Sequence, residues 1–331
     1  MIRYILKRLL MMIPVILGVT VLIFTIMYFA PGDPAQTILG SNATQEELNE
    51  LRETLGLNKP YLTRLLTYLG DVFLRFDLGK SYLTSASVSQ EIFSRFPRSL
   101  SISFVSMIIT LAAGIPLGVI AATHRNKLGD RVAMLFSLVG VSMPGFWVGQ
   151  MLQLLFAVTL LLLPFGGIGG FKYYILPCLA ASIGGIAGTA RQTRSSMLEV
   201  IRADYISTAR AKGQTERKVI YKHALMNALI PVITSAGTGF GATLGGALVI
   251  ETVFSLPGLG MYAVSAINAR DYPAVQGTIV FISIAFSIVM LLVDLLYAFV
   301  DPRIKAVYQG EFKKKSSLQK GKAAVSAGGK G

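Results

Sequence analysis

Six stretches of this sequence contain no Asp, Glu, Lys or Arg: residues 9–32, 99–123, 132–171, 173–190, 223–250 and 272–293. Each is long enough to cross the ~30 Å hydrocarbon core of a bilayer as a helix. A backbone inside hydrocarbon must satisfy its own hydrogen bonds, so an all-α integral membrane fold with six transmembrane helices is expected. At 53% hydrophobic and 15% charged, the 331-residue chain is too apolar for a soluble domain. The third stretch is long enough to hide two helices. An extra crossing would carry residues 191–222 to the other side of the membrane, and the charges oppose that. With six crossings, segments 1–8, 124–131, 191–222 and 301–331 carry +3, +2, +5 and +6, whereas 33–98 nets −1. Basic residues gather on the cytoplasmic side. Both termini are therefore expected in the cytoplasm, in a multi-pass cell (plasma or inner) membrane protein. Residues 132–163 are read as one long helix bent at Pro144-Gly145, with FGGIGG as an external loop. The net charge of +14 thus belongs to membrane flanks and is not a nucleic-acid signal.

This gives four regions: 1–32, the cytoplasmic end and first helix; 33–98, an external helical insertion; 99–303, a five-helix core containing the loop 191–222; and 304–331, a basic tail expected to be disordered. In the insertion, Thr44 and Glu47 form a capping box that opens a helix, and Gly56 ends it. Residues 61–75 read as an amphipathic helix that can lie along the membrane surface. The insertion is either a lid over the external mouth or a plain connector. The N-terminus resembles a signal peptide, but its apolar run is too long and no cleavage site follows, so an uncleaved first helix is expected. The KKK run of the tail either touches anionic lipid or is simply solvated.

Motif look-alikes do not support an enzyme. Leu78-Gly79-Lys80-Ser81 resembles the end of a phosphate-binding loop, but residue 74, where the first glycine belongs, is leucine. Gly237, Gly239 and Gly241 resemble a dinucleotide loop, yet no strand precedes them. Gly237, Gly241 and Gly245 instead form a small-residue ridge, as do Gly184 and Gly188, for close packing in the core or against a partner helix. The only histidines are His124 and His223, which make no metal cluster, and the one cysteine, Cys178, is a buried thiol. Glu251 and Asp294 end the fifth and sixth apolar runs, where an acidic group is either structurally paired or part of a gate or path.

The segment from Arg191 to Pro231 is the long charged interruption. Asp204 is expected to cap a helix over Tyr205 to Lys212, and Gly213 to end it in the left-handed conformation. A second helix is expected from Thr215, with Glu216 against its dipole. Ser207, Thr208, Ala209 and Ala211 leave the short helix almost bare. It is either a docking element for another protein or a solvated basic loop.

At 204–231 the sequence resembles the permease subunits of ATP-binding-cassette importers, and most closely their dipeptide, oligopeptide and nickel branch. Ser207-Thr208-Ala209 stand where that family has its EAA motif, and Gly213 is its glycine; the usual later proline is Met226. Further strings resembling the branch are Pro31-Gly32-Asp33-Pro34, Asp77-Leu78-Gly79-Lys80-Ser81, Arg191-Gln192-Thr193-Arg194, Glu251 through Pro257-Gly258 to Gly260, Arg270-Asp271-Tyr272-Pro273 and Asp301-Pro302-Arg303. The resemblance implies a type I importer permease without catalysis of its own. ATP and Mg would be bound by two cytoplasmic ATP-binding subunits, a second homologous permease would complete a heterodimeric pore, and an external substrate-binding protein would deliver cargo. It also implies an ATPase-coupling role for Asp204, Tyr205, Thr208, Ala209, Arg210, Lys212 and Gly213. Glu251, Pro257, Gly258 and Asp294 are the candidate gate or path residues. Expected cargo is di- or oligopeptides, with nickel, glutathione or another small solute as rivals. An ion-coupled secondary transporter would need inverted repeats and mid-membrane charges, and a membrane hydrolase a catalytic constellation; neither is evident.

Overall fold

The computed structural model describes residues 2–300 apart from Ser41, so the basic tail and the Asp301-Pro302-Arg303 string lie outside the described residues. Among these residues there is no strand, and the extended pairing is one isolated bridge between Lys80 and Ser87. The helices in order are α1 (Ile2–Phe29), α2 (Pro34–Leu39), α3 (Gln45–Thr54), α4 (Tyr61–Leu74), α5 (Val88–Thr123), α6 (Leu128–Ser142) and α7 (Gly145–Leu152), the last continued by a π-helical turn, Gln153–Thr159. Then come α8 (Lys172–Val200), α9 (Asp204–Ala211), α10 (Glu216–Lys218), a second π-helical turn (Val219–Ala224), α11 (Leu225–Val253), α12 (Leu259–Asn268) and α13 (Tyr272–Val300).

Five helices are long and apolar enough to cross a membrane: α1, α5, α8, α11 with the residues leading into it, and α13. The sixth candidate is a broken pair. Instead of one helix bent at Pro144-Gly145, α6 and the segment Gly145–Thr159 meet at 101°. Met143 and Pro144 are both extended at this corner. The cause is local: proline has no N–H to offer α6, and its ring drives the residue before it out of the helical region. The pair still joins opposite ends of the bundle. Asp130 at its start binds Arg194 of α8, whereas Gln153 at its far end donates to the carbonyls of Phe165 and Val253.

One end of the bundle, the insertion end, carries residues 30–87 and 254–271. The other, the loop end, carries residues 191–222. A core cluster at the insertion end joins Ile23, Met27, Val72, Val88, Ile92, Tyr272 and Val275, so α1, α4, α5 and α13 meet there. Next to it, Ile102, Leu176, Cys178 and Ile250 form a second cluster with Phe254 of the insertion end. At the loop end, Val119, Met197, Ile206, Val219 and Ala228 form a third. The close approach of α5 to α8 rests on small residues: a Cβ added at Gly118 would lie 2.5 Å from the Thr193 Cβ and 2.6 Å from the Ala190 carbonyl oxygen. The expected ridge on α11 holds in part. Gly237 and Gly241 press on Val293 and Phe286 of α13, while Gly245, Gly184 and Gly188 face open space.

The insertion contains the capping box: Thr44 Oγ1 accepts from the Glu47 amide, and the Glu47 carboxylate accepts from the Thr44 amide at 2.8 Å. Gly56, at φ +65°, ends α3. The helix α2 has no counterpart among the sequence expectations. Asp33 caps it, and the same carboxylate accepts two hydrogen bonds from Arg52, at 2.6 and 2.9 Å, which ties α2 to α3.

Candidate coupling and gate sites

At the loop end, residues 203–216 form a self-contained turn and helix. Ala203, not Asp204, occupies the N-cap of α9, and no side chain caps it. The helix starts one residue earlier than expected because the Ala203 carbonyl already accepts from the Ile206 and Ser207 amides. Asp204 remains in the first turn, where the helix dipole favours its charge. Gly213 ends the helix at φ +75°. Its amide donates to Arg210 O at 2.9 Å and the Gln214 amide to Ala209 O at 3.4 Å, the paired bonds of a Schellman ending. Arg210 then clasps Glu216 through Nη2 and Nε, at 2.7 and 3.0 Å, across the turn into α10.

Only Ile206 of α9 is fully buried. It sits among Val119 and Ala122 of α5, Met197 of α8, and Val219 and Ala224 of the second π turn. Ala209 is half-buried against this same cluster, so it faces its own chain and not outward. Tyr205, Thr208, Arg210, Lys212 and Gly213 are exposed, together with Asp204, Ser207 and Ala211. Four of these eight, Ser207, Thr208, Ala211 and Gly213, are small, beside one tyrosine, one carboxylate and two cations. Sequence reasoning missed an ion pair at this end. Asp130, 4% exposed, takes two hydrogen bonds from Arg194, at 2.6 and 2.8 Å, and one from the Asn126 amide at 2.9 Å.

The candidate gate residues separate into two groups. Glu251, near the end of α11, is completely buried. Its carboxylate accepts from Ser99 Oγ at 2.5 Å and from the Gly260 and Met261 amides at 2.7 and 3.1 Å. Ser99 Oγ accepts in turn from the Leu259 amide at 2.8 Å. These amides are the orphan donors of the first turn of α12, so α12 is capped by side chains from two other helices. Gly258 leaves room for the carboxylate, since a Cβ there would collide with it. The Pro257 carbonyl accepts from Arg98 at 3.3 Å, closing the group. Asp294 lies elsewhere, in an ion pair with Arg8 at 2.9 Å that links α13 to α1.

The phosphate-loop look-alike has a structural purpose. Ser81 Oγ donates to Asp271 at 2.5 Å, and the Asp271 carboxylate also accepts from the Tyr82 amide. This joins the insertion to the start of α13. A cavity of about 300 Å³ opens at the α6–α7 corner, lined by Met143, Gly145, Ala180, Gly184, Ala242 and Thr243, and none of its lining residues is charged. Among the described residues, no three His, Cys, Asp or Glu side chains cluster in a way that could hold a metal ion.

The fold resembles that of the MetNI methionine ABC transporter, crystallised in inward-facing conformations. The TM-score is 0.56 at 18% identity, over 64% of this chain and 97% of that one. Relatives by sequence are closer. The dipeptide transport system permease protein of Alkalihalophilus pseudofirmus is 42% identical over 92% of this chain and 100% of its own. The glutathione transport system permease protein of Salmonella choleraesuis is 42% identical over 92% and 99%. A putative peptide transport system permease protein of Brucella abortus is 43% identical over 91% and 98%. Residues 1–103 match the N-terminal family of binding-protein-dependent transport system membrane components. Residues 114–306 match the core family model, and the chain therefore belongs to the family of binding-protein-dependent transport system inner membrane components.

Proposed function

We propose that this chain is a pore-forming permease subunit of an ATP-driven importer whose cargo is di- or oligopeptides, and that α9 is where the ATPases act. The observation that carries this reading is the build of α9: one isoleucine roots it in a cluster shared with other elements, while its remaining surface, with Ser207, Thr208 and Ala211 at its small positions, is uncovered. The loop end is then cytoplasmic and the insertion end external, with six crossings between them. The chain itself is non-catalytic. ATP and Mg belong to two separate ATP-binding subunits, a second and different permease chain completes the pore, and an external binding protein supplies cargo. The relatives named for dipeptide, glutathione and peptide transport support peptide cargo, since glutathione is itself a short peptide.

Closure of the ATPases would load α9. Because Ile206 belongs to one core cluster with residues of α5, α8, the π turn and α11, these would move as one body and not helix by helix. The uncharged cavity at the α6–α7 corner suits a path for peptides of varied side chain. Thr208→Glu tests the assignment, because the position is exposed and the variant should fold and insert normally. A carboxylate pressed into a protein contact without a partner is costly. Co-purification of the ATPase subunits and uptake of a labelled dipeptide should both fall steeply. Wild-type association and uptake would remove α9 as the coupling element.

A further inference from the structure

We infer that α4 is an interfacial helix, seated in the lipid leaflet that receives the C-terminal end of α1, with Leu62 and Leu66 in the acyl-chain boundary. Its depth follows from where it is fastened. The Tyr61 hydroxyl lies 2.8 Å from Thr25 Oγ1, and the Phe24 ring meets Tyr61 at 5.8 Å and Tyr68 at 5.5 Å. Phe24 and Thr25 precede the end of α1 at Phe29 by five and four residues. At ~1.5 Å per residue they lie roughly 6–8 Å below the helix end, inside the span. A helix bonded there stands in the headgroup and acyl boundary, not above it. Around the attachment, Tyr28, Phe29 and Tyr61 are in ring contact and Arg64 lies over the Tyr28 ring at 5.2 Å, a composition typical of the membrane interface.

The faces of α4 divide accordingly. Leu65 and Val72 are buried against the protein, with Tyr68 on the same side. Thr63 and Thr67 are exposed on roughly the opposite side. Between these faces Leu62 and Leu66, four residues apart, are 64% and 62% exposed. On α1, Leu22, Ile26 and Phe29 form an exposed apolar stripe at helical spacing, and the Phe29 ring reaches Tyr61, the residue before Leu62. A helix with protein on one side, threonines on another and exposed leucines between them, fastened to a membrane-spanning helix, has the pattern of one lying in the interface. The inference holds whichever side of the membrane the insertion occupies and is independent of the coupling assignment.

The test uses the assembled transporter in nanodiscs. Trp147 is replaced by phenylalanine, and Leu66→Trp or Thr63→Trp then supplies the one tryptophan of this chain. Emission from the Trp147→Phe parent is subtracted as background. Phosphatidylcholine brominated near the headgroup end of its acyl chains should quench most of the Leu66→Trp emission and little of the Thr63→Trp emission, relative to unbrominated lipid. Leu62→Trp, one turn away, should repeat the result if Leu66→Trp assembles poorly. Leucine-site tryptophans that are quenched no more than Thr63→Trp would overturn the inference. If they were also shielded from aqueous acrylamide, another subunit covers this face; if acrylamide quenched them, water does.

Discussion

Two short helices, one at each end of the bundle, are built on opposite plans. The helix α12 buries Leu259, Gly260, Ala263 and Ala266, and Glu251 and Ser99 of other helices satisfy its first turn. By contrast, α9 buries Ile206 alone, has no side-chain cap, and closes itself with backbone bonds at Gly213. The first has its end groups met within this chain. The second is anchored by one buried residue and leaves most of its surface exposed, as the proposed docking role requires.

The largest effect that would break this contrast is at Glu251. Glu251→Leu leaves Ser99 and two amides of α12 without an acceptor, at about 1–3 kcal/mol for each buried group left unmet. Thermal unfolding in detergent should drop by many degrees, whereas Glu251→Gln, which keeps an acceptor, should drop less. Equal midpoints for wild type and Glu251→Leu would show that α12 does not depend on its cross-helix cap. Next is Gly241→Leu. A Cβ there would already lie 2.7 Å from Phe286, so a full side chain should cost about 1–3 kcal/mol by overpacking α11 on α13. Gly245→Ala, in open space, should match or exceed wild type in the same melting assay. A third effect is smaller in stability but large in transport. Gly213→Val must hold a β-branched residue at φ +75°, at a cost of about 1–2 kcal/mol confined to the α9 turn. Expression should survive while ATPase co-purification and uptake are lost, and unchanged uptake would contradict the proposed role of this turn.

The smallest effect sharpens the comparison with a helix that caps itself. Thr44 holds the Glu47 carboxyl below its ordinary value of 4.5, first through its backbone amide and then through its hydroxyl. A depressed folded-state value means that the stabilisation of α3 is complete above about pH 4.5 and is lost as the pH falls through that lower value. Hydrogen exchange of α3 amides, corrected for intrinsic rate, should show protection declining on acidification in wild type but not in Glu47→Gln.

How much the sequence disclosed depended on distance along the chain. The capping box at 44–47 and the stop at Gly213 are local events, and both are visible as residue patterns. Ala203 displaces Asp204 from the N-cap because backbone conformation, not side-chain preference, decides the first turn. The corner at Pro144 is signalled by its residues, but a proline pattern says only that the helix breaks there and not that the two parts meet at 101°. The pairs Ser99 with Glu251 and Ser81 with Asp271 are out of reach, because serines far along the chain carry no mark of the carboxylate they will meet. Ala209 reads as part of a bare docking face because small residues on a two-turn helix do not reveal which side the single isoleucine will root.

The π turn at Val219–Ala224 has a consequence for how α11 stays in phase. A π segment holds one residue more than the α-helical path between the same two points, as a local loop of slack. Everything useful on α11 depends on rotational setting: Gly237 and Gly241 toward α13, and Glu251 toward Ser99. Removing one residue within α11 would rotate the remainder of the helix by about 100°, since 3.6 residues make a turn. Removing one within 219–224 would instead use up the slack and leave both settings intact. The stretch between α9 and the part of α11 that faces α13 is therefore where this chain can change length without losing its alignment.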